Sequence, residues 1–465
     1  MLRHWQQECL NTVKKHYADT SKHFLCLATP GAGKTVLGAE VAAYLFETKQ
    51  IDFVICFSPS ITVAEGIKNT FARRLNCNFD GVIGAIGCSY TYQNMRFFNE
   101  DNWKIIKNNR VLVVFDEIHH CSGSSFDDAN AWGQDIVQNI QEQATFTLAL
   151  TGTPWRSDLI PIALANYRDP DNQIQCDYTY SLQQAVSDGV CRNPKIVLID
   201  NEEISVTTQE QETKVFKSLH ELLKAPLISY QDLICHEVVI QYILEKGCNK
   251  LAEIRQFNPY AGGLIVASSV EHAQQILKML TEQLQQTAVI VTYKETDAAE
   301  RIKHFRFCKT QWIVSVGMVA EGTDIPRLQV CCHLSRVKTE LYFRQVLGRI
   351  LRLNDAVNQE AWLFTFAEEK LSIFANRIDQ ELPDACVLVR SNAIANQFAI
   401  KTDSKKLLTS SINLKPAPVT ALLDDSSFVD IFSSINSKNE KSHTPAYLEN
   451  FGGFREKLIE VFSPI

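Results

Sequence analysis

Short continuous apolar runs alternate with amphipathic stretches through most of the chain. The segments 23–28 (HFLCLA), 51–57 (IDFVICF), 81–86 (GVIGAI), 111–115 (VLVVF) and 145–150 (TFTLAL) are bounded by turn signals, the pattern of strands buried on both faces. Between them, 34–48, 60–74 and 131–140 carry helical spacing, and 3–17 forms a short amphipathic helix. Alternation of this kind predicts a parallel sheet with helices on both faces. This first lobe is expected to end near a strand at 195–199 (KIVLI). Residues 201–260 are rich in Glu, Gln and Lys and predict two helices, 208–224 and 231–257. From 261 the alternation resumes, with strands at 263–267, 288–292, 312–316, 329–334 and 361–366 and helices at 270–286, 297–308 and 338–347. The expected architecture is α/β: tandem parallel-sheet lobes at 1–200 and 261–399, a helical connector at 201–260, and a linker with a small helical tail (447–462) within 400–465.

Two motifs carry chemistry. Ala28-Thr29-Pro30-Gly31-Ala32-Gly33-Lys34-Thr35 follows a predicted strand and opens a predicted helix. Glycines let the backbone curl so that N–H groups face a phosphate chain. Lys34 is placed to reach the β- and γ-phosphates of ATP, and the Thr35 hydroxyl to ligate Mg²⁺. The helix N-terminus adds a favourable dipole. Ala28 stands where the general pattern has Gly, while the G-K-T core is intact. The second motif, Asp116-Glu117-Ile118-His119, directly follows VLVVF. A carboxylate at the C-terminal end of a strand beside a phosphate loop sits where Mg²⁺ must be held. Asp116 joins Thr35 as a metal candidate, and Glu117 is the candidate base or water-orienting group.

Together these motifs resemble the DExH class of superfamily 2 helicases, over nearly all of 1–370. The resemblance implies two RecA-like lobes that clamp ATP. It gives Gln6, in Arg3-His4-Trp5-Gln6, the reading of adenine. It gives Ser58 and Pro59, in Phe57-Ser58-Pro59-Ser60, contact with a nucleic-acid backbone; 89–93 (SYTYQ) is a looser counterpart. Thr151-Gly152-Thr153-Pro154-Trp155-Arg156 matches the motif that couples hydrolysis to strand handling; Thr151 and Thr153 count among the nucleic-acid residues, with hydroxyls able to bond His119. In the run 317–326 (GMVAEGTDIP), Gly322 permits a backbone turn, Thr323 bonds a phosphate and Asp324 a ribose hydroxyl. Gln345-Val346-Leu347-Gly348-Arg349-Ile350-Leu351-Arg352 supplies Gln345 and the arginines Arg349 and Arg352, which reach the γ-phosphate from the second lobe. The implied catalytic set is Lys34, Asp116, Glu117, His119, Gln345, Arg349 and Arg352. The combination of TGTPWR, VGMVAEGTDIP and YFRQVLGRILR looks most like the branch of restriction-enzyme translocating subunits and nucleotide-excision-repair helicases, which implies double-stranded DNA. An RNA helicase, or a nucleotide-gated ATPase subunit that regulates a partner without unwinding, stays open as an alternative.

Composition narrows the picture further. A net charge of −7 and a pI near 5.9 describe a chain with no general basic coat. Nucleic acid is therefore expected in a local groove. The 14 cysteines form no C-x-x-C pair and fit a reducing cytosol. His119-His120-Cys121 belongs to the acidic motif rather than to a metal cluster, and Cys331-Cys332-His333 lies in a strand-like run. The N-terminus MLRHWQQECL is polar, and no run has membrane-spanning length. A cytoplasmic protein is expected, with ATP and Mg²⁺ as cofactors and nucleic acid, DNA favoured, as partner. Since no nuclease, methylase or zinc module is visible, a separate nuclease or specificity protein is expected. Glu368-Glu369-Lys370 reads as a solvated helix start, and Tyr342 and Phe343 as core. Arg73 and Arg74 fit a phosphate contact and a helix C-terminus equally well.

Overall fold

The computed structural model describes residues 2–19, 21–122, 130–154, 156, 160–168, 173–208, 211–292, 295, 297–317, 324–378 and 446–461. The first lobe runs through α1 (His4–Ala18), β1 (His23–Ala28), α2 (Lys34–Glu47), β2 (Phe53–Ser58), α3 (Ile61–Leu75), β3 (Gly87–Thr91), α4 (Glu100–Asn108), β4 (Val111–Asp116), α5 (Ala131–Asn139) and β5 (Phe146–Thr151). A short hairpin, β6 (Asn166–Arg168) and β7 (Gln173–Gln175), precedes β8 (Tyr178–Tyr180) and α6 (Leu182–Ser187). Six strands form one sheet in the order β3-β2-β4-β5-β1-β8, and every pairing in it is parallel. β4 is buried at all six positions, because helices cover both faces. The order brings the C-terminal ends of β1, β4 and β5 side by side, and all three candidate phosphate-handling motifs follow those ends.

The second lobe starts earlier than the sequence pattern indicates. β9 (Asn193–Asn201) pairs in parallel with β16 (Glu360–Phe366), so KIVLI belongs to the second sheet and not to the first. Between them lie β10 (Ile204–Thr208), β11 (Thr213–Phe216), α7 (Leu219–Lys224), α8 (Tyr230–Ile234) and α9 (Glu237–Arg255). There follow β12 (Gly262–Val266), α10 (Val270–Lys278), β13 (Ala288–Thr292), α11 (Ala298–Phe307), β14 (Trp312–Val316), β15 (Leu328–His333) and α12 (Glu340–Ile350). After β16 come α13 (Glu369–Asn376), β17 (Ala446–Phe451) and β18 (Phe454–Glu460). The sheet order is β13-β14-β12-β15-β16-β9-β18, parallel except for β18, which runs antiparallel to β9.

Three other expectations are corrected. The run 81–86 is a turn: Gly81 and Gly84 have φ of +74° and +91°, and Ile83 is fully exposed, so the strand forms at 87–91. The connector is not wholly helical, since β10 and β11 pair antiparallel and β17 joins β10 on its other side. The tail at 447–462 is not helical but two strands in succession, broken at Gly452-Gly453: β17 pairs antiparallel with β10, and β18 pairs antiparallel with β9.

Candidate active site

The loop from β1 into α2 is shaped by two left-handed residues, Gly31 (φ +82°) and Gly33 (φ +95°). A Cβ on Gly33 would lie 3.0 Å from Gln6 Nε2, so the loop is packed tightly against α1. Gln6 is buried and clasps this loop: its Nε2 donates to Gly33 O at 3.0 Å, and its Oε1 accepts from Arg3 N at 2.8 Å. Arg3 Nη1 in turn donates to Ala32 O at 2.7 Å. One donor and one acceptor of the Gln6 amide are thus already engaged in supporting the loop. Gly33 caps α2 without a side-chain partner, so the first-turn N–H groups of α2, beginning at Lys34 and Thr35, face the loop.

Lys34 is nearly buried, at 9% exposed. Its Nζ donates to Ala28 O at 3.1 Å and stands 3.3 Å from Glu117 Oε1. Glu117 adopts a left-handed backbone (φ +53°), a conformation that costs a non-glycine residue about 1 kcal/mol or more. The turn re-aims its carboxylate toward β5. There Oε2 accepts from Gly152 N at 3.1 Å and from Thr151 Oγ1 at 3.3 Å. Burial opposes ionisation of Glu117, but Lys34, His119 and the Gly152 amide outweigh it and hold the carboxyl below its ordinary range. Asp116, 8% exposed, moves the other way: burial and the adjacent Glu117 charge raise it, against the pull of Lys34. Tyr92 Oη donates to Asp116 O at 2.8 Å and fixes this strand end.

His119 Nδ1 lies 3.0 Å from Thr151 Oγ1 and 3.4 Å from Thr153 Oγ1. Burial, then the neighbouring His120, lowers its pKa to about 3, so the ring is neutral. Thr151 and Thr153 are buried in this network. Ser58 is fully buried as well, and its hydroxyl donates to Tyr90 O at 3.3 Å. Pro59 and Ser60 are half-buried at the same strand end, with Ser60 Oγ capping α3 at Val63 N.

The second lobe meets the loop directly. A Cβ on Gly31 would stand 3.3 Å from Arg352 Cγ, and one on Gly348 would stand 2.7 Å from Pro30 Cβ, so α12 lies against the loop backbone. Arg349 and Gln345 are half-buried on the same helix. Asp324 pairs with Arg352 through Oδ1 and with Arg306 Nη2 through Oδ2, the latter at 2.9 Å. These arginines occupy the carboxylate assigned to a ribose. Gly322 and Thr323 lie outside the described residues. The pattern-based reading missed Cys191, whose Sγ donates to Pro30 O at 3.5 Å, and Arg192 and Arg306, which belong to no motif.

The donor set fits a magnesium nucleotide. Lys34 and the start of α2 face the cradle, and a raised carboxyl at Asp116 is one that a nearby cation would ionise. Among the described residues there is no group of three or more His, Cys, Asp or Glu that could hold a metal by themselves.

Comparison with known proteins agrees with this layout. Residues 1–156 match the family model of the type III restriction enzyme res subunit. An uncharacterised protein of Mycobacterium leprae (strain TN) is 30% identical over 373 residues, covering 76% of this chain and 59% of that protein. This chain thus spans about three fifths of the length of the curated relative it matches. Among solved structures, a fragment from Vibrio vulnificus YJ016 described as an HsdR subunit of a type I restriction enzyme superposes with a TM-score of 0.55. It is 17% identical, over 82% of this chain and 67% of that one. The ATP-dependent type ISP restriction-modification enzyme LlaBIII, solved bound to DNA, gives 0.50 at 14% identity, over 78% of this chain and 27% of that one.

Proposed function

With the motif resemblance to superfamily 2 helicases borne out by fold and family match, we propose that this chain is an ATP-dependent nucleic-acid translocase or helicase acting on DNA. The observation that carries the reading is the seating of Arg352 against Gly31: a residue of the second lobe stands at the phosphate loop of the first. That juxtaposition is what an arginine-assisted phosphoryl transfer requires.

The residues divide the work by charge. Lys34 and the α2 N-terminus bind the phosphates. Thr35 and Asp116 would hold Mg²⁺, which when bound neutralises phosphate charge. Glu117, kept ionised by Lys34, orients the attacking water and accepts its proton. His119, neutral and bonded to Thr151 and Thr153, links that carboxylate to the end of β5. Arg352, now paired with Asp324, exchanges that carboxylate for phosphate, which draws the lobes together; loss of the γ-phosphate reverses the exchange.

Grip on the backbone then alternates with nucleotide state. A cytoplasmic setting and a separate nuclease or specificity protein complete the reading; no described helix is long and apolar enough to cross a membrane. The test is the ATPase rate with duplex DNA, single-stranded DNA and RNA side by side. Stimulation by duplex DNA that fades steeply with salt is the expected result. Stimulation by RNA alone favours an RNA helicase, and no stimulation by any polymer favours a partner-regulated ATPase.

A further inference from the structure

The chain passes from the first lobe to the second at Cys191-Arg192: α6 ends at Ser187 and β9 begins at Asn193. Cys191 faces backward. Its thiol donates to Pro30 O at 3.5 Å, and burial pushes it up to about 11. Arg192 faces forward and is 0% exposed. Its guanidinium donates to Pro326 O (3.0 Å), Leu328 O (2.5 Å), Ile350 O (3.1 Å) and Gln359 Oε1 (3.1 Å). Its backbone N–H donates to Leu351 O at 2.8 Å, and Cys191 forms an isolated antiparallel bridge with Arg352.

A guanidinium in such a place is costly to desolvate, and burial alone draws its pKa down to about 9. An apolar side chain of similar length would fill the space without that cost. What the guanidinium adds is a rigid fork of N–H groups matched to carbonyls from separate segments. Those carbonyls flank the pair that meets at the phosphate loop: Pro326 and Leu328 follow Asp324, and Ile350 precedes Arg352.

We infer that Arg192 is a positioning residue for ATP hydrolysis: it holds 324–328 and 350–352 in one frame and so fixes where Arg352 stands against Gly31. The inference rests on the ATPase reading and deepens it. It is tested by a double-mutant cycle of Arg192→Met and Arg352→Ala on the full chain, with steady-state ATPase, fluorescent-nucleotide binding and thermal melts. Arg192→Met is expected to lower kcat roughly 10- to 100-fold. KM for ATP should stay within about twofold. Once Arg352 is Ala, the same change should cost nothing further, because its route of action is gone. Arg192→Lys, which keeps the charge but not the fork, should recover only part of the loss. A residue that merely stabilises the fold would slow both backgrounds by one factor, and that additive result overturns the inference, as does full activity in Arg192→Met. Should Arg192→Met fail to fold, Gln359→Leu removes one acceptor only and is read in the same cycle, where a loss that persists in the Arg352→Ala background is the overturning result. A wild-type chain that hydrolyses no ATP under any polymer defeats the ATPase reading itself, and with it this deduction. A wild-type chain that hydrolyses, slows with Arg352→Ala and shows additivity defeats only the role of Arg192.

Discussion

Arg352 and Asp324 form an ion pair through Nη1 and Oδ1, in the same place where the Arg352 stem passes Gly31 of the phosphate loop. The other oxygen of Asp324 is taken by Arg306 at 2.9 Å. The arginine suited to a γ-phosphate is therefore docked beside the loop on a carboxylate it must leave. Asp324 is about half exposed, so water screens the pairing and exchange is cheap.

Replacing that arginine separates binding from turnover. Arg352→Ala is expected to reduce kcat by about 10³ or more, as for arginine fingers generally. Nucleotide affinity, set mainly by Lys34 and the α2 N-terminus, should change little. ATPase rates and fluorescent-nucleotide titrations measure the two effects; normal turnover would remove the second lobe from the site.

Glu117→Gln keeps the side-chain shape but loses the charge facing Lys34 at 3.3 Å. Turnover should fall by about 10²–10⁴, the usual worth of a positioned base. Bound ATP should persist, visible in a filter-retention assay with labelled nucleotide. Rapid release of unhydrolysed ATP, or unchanged turnover, contradicts the assigned role. Lys34→Ala, by contrast, should lose hydrolysis and weaken binding together.

Gly348→Ala tests the contact between lobes without touching a charge. The added methyl would stand 2.7 Å from Pro30 Cβ, closer than such atoms approach, so α12 must shift from the loop. A misplacement near 1 Å can cost about 100-fold. We expect a marked fall in kcat with a melting temperature close to wild type. A large drop in melting temperature with kcat retained would mean the contact serves folding instead.

His333 provides a prediction in pH. It is 0% exposed on β15, and burial lowers its pKa from 6.5 to about 4. Between those values the unfolded ring binds a proton that the folded ring refuses, so stability falls as pH falls through that window. One such group changes the slope by up to about 1.4 kcal/mol per pH unit. His333→Leu removes the titration and should flatten the melting curve against pH from about 6.5 to 4. Equal slopes in the two proteins would contradict the burial argument.

The legible parts of the sequence were those written in contiguous residues. ATPGAGKT and DEIH are each an unbroken run of residues, and the structure brings Lys34 to Glu117 because parallel β1 and β4 flank β5. The bond from Thr151 to His119 was legible for the same reason. KIVLI declared a buried strand but not its partner: pairing with 360–366 spans a distance no local pattern encodes. In the tail, Tyr447, Leu448, Phe451, Phe454 and Leu458 mimic helical spacing, while antiparallel pairing with the distant β10 and β9, which no local pattern encodes, makes both runs strands. Phe454 is fixed from outside, its ring 4.1 Å from Tyr242 on α9. Arg192 carries no signature at all, since its guanidinium's partners are three backbone carbonyls and the Gln359 amide, scattered from Pro326 to Gln359.

The antiparallel pairing of β18 with β9 also sets a timetable. All strands of the first sheet lie within the first 180 residues, so that lobe can close while the ribosome is still at work downstream. β9 emerges next, yet its outer neighbour is not made until residues 454–460. Throughout that interval its free backbone groups are a template for any passing strand, and a nascent chain stalled before Phe454 would be the form most prone to stick to its neighbours.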